Sequence, residues 1–453
     1  MITAVEVAED LGSMVQERRG PATGRFQNVV IDSRKATPSD LFVALRGERT
    51  DGQAFALDAV QRGAGGLLLH EAIDGLSEDV SAYIVPDTLL ALQRLAAGRR
   101  DRRRTKVVSI TGSVGKTTTK EIVASVLGVK YRVLKSEANY NNEIGLPLTL
   151  LQLTNRHQRA VLEMGMYALG EIRTLCEIAR PEIGVVTNVG PVHLERLGSM
   201  EAIAAAKAEL PEALPSHGFA IFNADDPFVR AMADRTRARP LLYGLVEAAD
   251  VQATNVSSRG LEGVSFQLHY EGRSVPVVTA LPGRHIVSNA LAAAAVGLAD
   301  GLSLEEVAAG LANADVRVRI KIRGGHAGAT LIDDTYNASP ASMAAALDLL
   351  AEIPGRRIAV LGDMGELGAA SKEGHQTVGQ RAAETADIIH AVGEEAALIS
   401  QAARDAGHKD VYHWLTKDEA GTALLSTLQA DDVVLLKASR AMAFETLVEA
   451  LGG

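Results

Sequence analysis

One short stretch holds the residues with the clearest chemistry. In Val107-Val108-Ser109-Ile110-Thr111-Gly112-Ser113-Val114-Gly115-Lys116-Thr117-Thr118-Thr119, a β-branched run leads into a glycine loop and then a helix start. Gly112 and Gly115 have no side chains, so the loop from Gly112 through Ser113, Val114 and Gly115 can close round an anion. The helix beginning near Lys116 adds its own N–H groups, through Thr118, and its positive dipole end. Lys116 can reach the β- and γ-phosphates of a nucleotide, and the Thr117 hydroxyl can ligate Mg²⁺. The usual pattern has a further glycine where this chain has Ile110, so the loop is a shortened variant. A plain glycine turn before an ordinary helix would not call for Gly-Lys-Thr-Thr. The loop predicts a Mg-ATP-using enzyme.

Three more groups follow, two of them on strand-like runs. Glu163 lies in Leu162-Glu163-Met164-Gly165, and His193 in Asn188-Val189-Gly190-Pro191-Val192-His193-Leu194. The end of a strand is where an open α/β sheet puts its ligand crevice, and a carboxylate with an imidazole there suits a divalent metal. Lys207 lies on the helical stretch Met200–Leu210. Taken singly, Glu163 reads equally well as a surface carboxylate, His193 as a structural histidine and Lys207 as a solvated lysine. Their joint appearance after a phosphate loop favours one site.

The elements that must position these groups alternate along the chain. Strand-like runs are expected at Lys106–Thr111, Gly184–Asn188, Phe219–Asn223, Arg357–Gly362, Ile388–Val392 and Asp432–Lys437. Helices are expected at Lys116–Leu127, Met200–Leu210, Pro340–Ala351 and Thr377–Thr385, and the Ala-rich Ile286–Leu298 reads as a packed helix. This alternation predicts an α/β fold with mainly parallel sheets. Val251–Val278 alternates as antiparallel strands do, and nothing between Tyr243 and Pro282 suggests chemistry. The chain of 453 residues suggests three domains. Breaks at the run Arg99–Arg104 and near Asn313–Asp315 give 1–104, 105–314 and 315–453. The arginine run reads as a solvated helix end or linker, since no aromatics interleave with it.

The net charge of −10 argues against nucleic-acid binding. One cysteine, Cys176, permits no internal disulfide, and no export signal or apolar run of about 18 residues is visible. These features predict a cytoplasmic protein that does not span a membrane.

The motifs occur in the order found in the Mur ligase family of peptidoglycan synthesis, which the chain resembles along nearly its whole length. The resemblance rests on the phosphate loop, Asn141-Asn142-Glu143-Ile144-Gly145-Leu146-Pro147, Glu163-Met164-Gly165, Asn188-Val189-Gly190 with His193, Lys207, and Asn223-Ala224-Asp225-Asp226-Pro227. Asp333-Asp334-Thr335-Tyr336-Asn337-Ala338-Ser339-Pro340, Leu361-Gly362-Asp363-Met364-Gly365-Glu366-Leu367-Gly368 and Lys437-Ala438-Ser439-Arg440 are similar to the branch that adds D-alanyl-D-alanine to UDP-N-acetylmuramoyl-tripeptide. Asp32-Ser33-Arg34, Asp40–Ala44 and Asp51-Gly52 resemble the family's uridine-nucleotide domain.

The resemblance implies three α/β domains: an N-terminal UDP-binding domain, a central ATPase domain with a parallel sheet, and a Rossmann-like C-terminal domain. It implies ATP and two Mg²⁺, with Thr117 and Glu163 holding one ion, His193 the second, and Lys207 carried as a metal-binding carbamate. It also implies Asn142 near the transferred phosphate, Asn289 facing adenine, Arg319 and Asp334 on ATP, and Ser33 and Arg34 at the UDP end. The expected product is an amide formed through an acyl phosphate, by a monomer. The chain departs from the family at Ile286, Gln53, Ala438 and Ser339, away from the phosphate and metal groups. Rival readings are another Mur-type or folylpolyglutamate synthase-like ligase, a regulatory nucleotide-binding module, and a P-loop motor. The branch-specific stretches disfavour the first, the full set Lys116, Glu163, His193 and Lys207 the second, and the acidity the third.

Overall fold

The computed structural model describes residues 1–47, 50–137, 139–314 and 320–452. Its larger sheets divide along the chain, one each in the N-terminal, central and C-terminal parts. The N-terminal sheet has five strands in the order Glu17–Arg19, Ser81–Ile84, Gly66–Leu69, Leu41–Val43, Val29–Val30. Only the first pair is antiparallel.

The central sheet has nine strands. Its parallel part runs Arg239–Gly244, Phe219–Asn223, Ile183–Val186, Lys106–Thr111, Arg159–Glu163, Val133–Lys135. Beyond Arg239–Gly244 come Val251–Ser258, Val264–Tyr270 and Arg273–Thr279; the last two pair antiparallel, matching the alternation seen there. Side chains of a strand alternate between faces. Val107 therefore packs into the core on one side of the sheet while Val108 and Ile110 pack into the other. Helix Met200–Ala213 covers the first face through Ile203, Ala206 and Leu210, and helix Ile286–Ala299 the second through Ala290 to Val296.

Lys106–Thr111 is flanked by Arg159–Glu163 on one side and Ile183–Val186 on the other. The chain leaves this strand toward one edge and later returns to its opposite side. That reversal is a topological switch point, where the loops at the strand ends diverge and open a crevice. The loops meeting there carry Gly112–Lys116, Glu163 and Thr187-Asn188.

The C-terminal sheet has six strands, Lys321–Gly324, Thr330–Asp333, Asp432–Lys437, Arg356–Gly362, Ile388–Val392, Val411–Trp414, parallel except for the first. The expected break near 313–315 and the run from Val316 fall partly in 315–319, outside the described residues. Among the described residues no helix is long and apolar enough to cross a membrane.

The arginine run is not a solvated helix end. It closes helix Thr88–Asp101, where Arg99 and Arg100 are only 2% and 8% exposed. Arg100 Nε donates to Ile178 O (3.3 Å), and Arg102 forks onto Asp10 of the first helix. The basic run ties the N-terminal helices to the central helix Glu171–Ala179. Long arginine stems can be packed while their heads are paired, which composition alone does not reveal.

Candidate active site

The glycine loop takes its shape from its neighbours. Gly112 has φ +148°, and a Cβ there would lie 1.9 Å from Thr187 Oγ1. Gly115 has φ +84°, and its Cβ would meet Asn289 Nδ2 at 2.7 Å. Only glycine fits both conditions. Asn188 braces the loop: its Oδ1 accepts from Val114 N–H (2.8 Å), its carbonyl from Ser113 N–H (3.0 Å), and its Nδ2 donates to Val114 O (2.9 Å). Thr187 Oγ1 also donates to Val114 O (2.7 Å), and Ser113 Oγ exchanges hydrogen bonds with the backbone of Gly190. The N–H groups of Ser113 and Val114 are thus engaged within the frame, and anion binding falls to the helix start. Helix Lys116–Gly128 has no side-chain cap, so its positive end faces the crevice unshielded. Lys116 Nζ folds back onto Gly112 O (2.8 Å) and Ser113 O (3.2 Å), across the loop's mouth.

Glu163 stands at the end of the adjacent strand, 2% exposed. Its Oε2 accepts from Thr117 Oγ1 (2.8 Å) and its Oε1 from Asn141 Nδ2 (2.9 Å). A hydroxyl and a carboxylate side by side next to a phosphate cradle form a hard, all-oxygen donor pair, which fits Mg²⁺. Lys207 is 3% exposed, and the loss of water, then the charge of Lys116, holds its amine well below the usual lysine range. Lys120 is also buried, but its ammonium donates to Ser136 O (2.6 Å) and pairs with Glu121. Lys207 is the buried lysine poised as a neutral amine.

His193, at φ +62°, sits edge-on to Tyr167, ring centroids 4.8 Å apart. Burial lowers its pKa and Glu366 opposes that shift. Nδ1 lies 2.5 Å from Glu366 Oε2 but misaligned, so it makes no hydrogen bond among the described residues. A buried nitrogen left over in this way fits a metal ligand. Glu366 comes from the C-terminal part, in a stretch that reads as branch-specific yet gives no hint of this contact.

The remaining expected residues are distributed round the crevice. Asn289 donates to Gly115 O (3.1 Å) and Thr119 Oγ1 (2.9 Å), under the start of the helix. Asn142 is exposed, with Oδ1 accepting from Gly145 N–H (2.9 Å) at the start of helix Gly145–Leu151. Asp334 accepts from the buried Lys437 (2.6 Å) and is felt by His285 of the central part. Ser33 is buried and Arg34 exposed, its guanidinium held by Asp32 (2.9 Å). Arg319 lies outside the described residues. Ala438 is accommodated because Gly362 opposite it lacks a side chain, where a Cβ would be 2.6 Å away. Asn141, Thr187 and Asn188 are structural partners that motif reading did not assign, although Asn141 and Asn188 sit inside quoted motifs.

Comparison with known proteins now decides the family. Residues 25–100 match the model described as "Mur ligase family, catalytic domain", 110–297 the "Mur ligase middle domain", and 318–440 the "Mur ligase, glutamate ligase domain". The UDP-N-acetylmuramoyl-tripeptide--D-alanyl-D-alanine ligase of Escherichia coli is 40% identical over 93% of both chains. The chain belongs to the Mur ligase family. Among solved Mur ligases, MurF from Acinetobacter baumannii superposes with a TM-score of 0.88 at 33% identity, covering 99% of this chain and 98% of that one. The MurF ligase of Thermotoga maritima, solved in complex with ADP, gives 0.81 at 29% identity over 93% and 96%. In this Mur ligase, then, the cradle at the switch point is the nucleotide end of the crevice.

Proposed function

We propose that this chain is the ATP-dependent ligase that joins D-alanyl-D-alanine to UDP-N-acetylmuramoyl-tripeptide in peptidoglycan precursor synthesis. The observation that carries the reading is the Thr117–Glu163 pair at the mouth of the phosphate loop, in a chain that matches such a ligase over nearly its whole length.

A carboxylate is a poor acyl donor because its leaving oxygen is strongly basic. In this reading the tripeptide carboxylate oxygen bonds to the γ-phosphorus of ATP and the bond to ADP breaks. The dipeptide amine then bonds to the acyl carbon, phosphate leaves, and the amine gives up a proton to solvent. Positioning and charge neutralisation dominate such a phosphoryl step. Lys116 and the N–H groups from Gly115 to Thr118 hold the β- and γ-phosphates, with Gly112, Ser113 and Val114 shaping the loop. Thr117 and Glu163 hold a Mg²⁺ that offsets phosphate charge, and His193 with Lys207 as its carbamate holds a second. Burial suits Lys207 to that role: the neutral amine adds to CO₂, loses a proton and becomes anionic.

Asn142 lies toward the transferred phosphate. Asn289, Arg319 and Asp334 serve the adenine and ribose, and Ser33 and Arg34 the uridine diphosphate. The working domains are 1–104, 105–314 and 315–453, supported by one large sheet in each. The enzyme works as a cytoplasmic monomer, since every group named here comes from a single chain.

The test is phosphate release with Mg-ATP, the tripeptide nucleotide and D-alanyl-D-alanine, omitting each in turn. Release that requires all three, with the pentapeptide nucleotide seen by mass spectrometry, supports the reading. Turnover indifferent to both peptide substrates would sink it.

A further inference from the structure

We propose that Glu366 is a metal-site residue supplied by the C-terminal domain, which joins His193 at the second divalent cation and couples cation binding to closure of that domain. The inference rests on the ligase reading above and adds a group to its site.

The two residues are far apart in sequence, yet Glu366 Oε2 is 2.5 Å from His193 Nδ1. Both are non-glycine residues in the left-handed region, at φ +63° and +62°. Such conformations cost free energy and persist where their surroundings over-determine them, most often at functional sites. The surroundings here do so from both sides. Tyr167 meets the edge of the His193 ring, and Arg196 lies over Tyr167, 4.9 Å from its centroid. Two residues beyond Glu366, Gly368 (φ +52°) seats its backbone on the turn after His193, so close that a Cβ would lie 3.0 Å from Glu195 Cα. The loop is docked on the histidine by shape as well as by charge.

The charges agree. Lys116 and Lys207 both bear on His193, and Glu366 is the anion that answers them. Carboxylate and imidazole are an ordinary pair of divalent-cation ligands. Among the described residues no cluster of three histidine, cysteine or acidic side chains could hold a metal ion by itself. The central domain's donors are therefore sparse, and a carboxylate at His193 supplies one more. A ligand borrowed from the C-terminal domain makes cation affinity and closure reciprocal: each must strengthen the other by the same factor.

The test uses Mn²⁺ as a paramagnetic probe on the full chain with a non-hydrolysable ATP analogue. Free Mn²⁺ is counted by electron paramagnetic resonance, and compaction is followed by small-angle scattering. Wild type should bind two Mn²⁺. Glu366→Gln should weaken one of them about ten-fold, leave the other unchanged and shift compaction to about ten-fold higher Mn²⁺. Glu366→Asp should recover part of the loss, and Glu373→Gln, an exposed acid on the same domain, should change nothing. A folded Glu366→Gln protein that binds both ions with wild-type affinity, or compacts at the same Mn²⁺ concentration, overturns the inference. The ligase assay is run on the same wild-type sample. Product formation with unchanged Mn²⁺ binding in Glu366→Gln overturns this inference alone, whereas no product overturns the reading beneath it.

Discussion

The phosphate cradle and the seam under the C-terminal domain use similar groups but are held by different means. In the cradle, Gly112, Ser113, Val114 and Lys116 are fixed by Thr187, Asn188 and Asn289, all from the central domain, with hydrogen bonds of 2.7–3.1 Å. At the seam, His193 meets Glu366 and His285 feels Asp334 and Lys437, groups that come together only when one domain docks on another. The first site is built when the sheet folds, and the second has to be assembled in each closure. A ligase that must keep water from an acyl phosphate gains from this division, because nucleotide can bind before the reaction chamber exists.

The largest effect should come from breaking the cradle. Gly112→Val places branched carbon where Thr187 Oγ1 already lies, and calorimetry should show ATP-analogue affinity reduced on the order of 10²-fold. Glu163→Gln keeps the cradle's shape but removes the anion, so kcat should fall about 10²–10³-fold while the analogue still binds. Lys207→Arg sharpens the comparison from between the two regions. Wild type supplied with ¹³C-bicarbonate should show a carbamate resonance, which the variant lacks along with roughly 10²-fold in kcat. Gly368→Val addresses the seam alone: its Cβ would meet Glu195. It should cost roughly ten-fold in kcat with analogue affinity unchanged.

The smallest effect concerns stability in acid. Burial pushes His390 from the ordinary 6.5 down to about 4. The unfolded chain then takes up the proton first, so stability is full above about pH 6.5 and is lost as pH falls toward 4, on the order of 2 kcal/mol by pH 5. Trp414, the single tryptophan, donates to His390 Nδ1 (3.0 Å) and reports this region by fluorescence in denaturant. His390→Asn should flatten the pH dependence.

The same contrast explains what could be read without coordinates. The strand Lys106–Thr111 and the helix start at Lys116 lie where the residue pattern places them, because a loop, its strand and its helix are local. Helix Ser371–Thr385 begins earlier than the expected Thr377, since the polar Ser371-Lys372-Glu373 carries little apolar period. Asn188 was visible as part of a motif, but its brace on Val114 depends on two strands lying side by side. Arg99 and Arg100 read as solvated because composition reports charge and not enclosure. Glu366 could not be found from spacing, since nothing in a sequence says which loop of one domain will rest on a histidine of another.

The most direct test of the account follows the oxygen atoms. The tripeptide nucleotide, labelled with ¹⁸O in both oxygens of its reacting carboxylate, is turned over with unlabelled ATP and D-alanyl-D-alanine. Activation by phosphoryl transfer predicts one ¹⁸O in each released phosphate and one kept in the new amide. Phosphate free of label would contradict it, because the carboxylate oxygen would then never have been bonded to phosphorus.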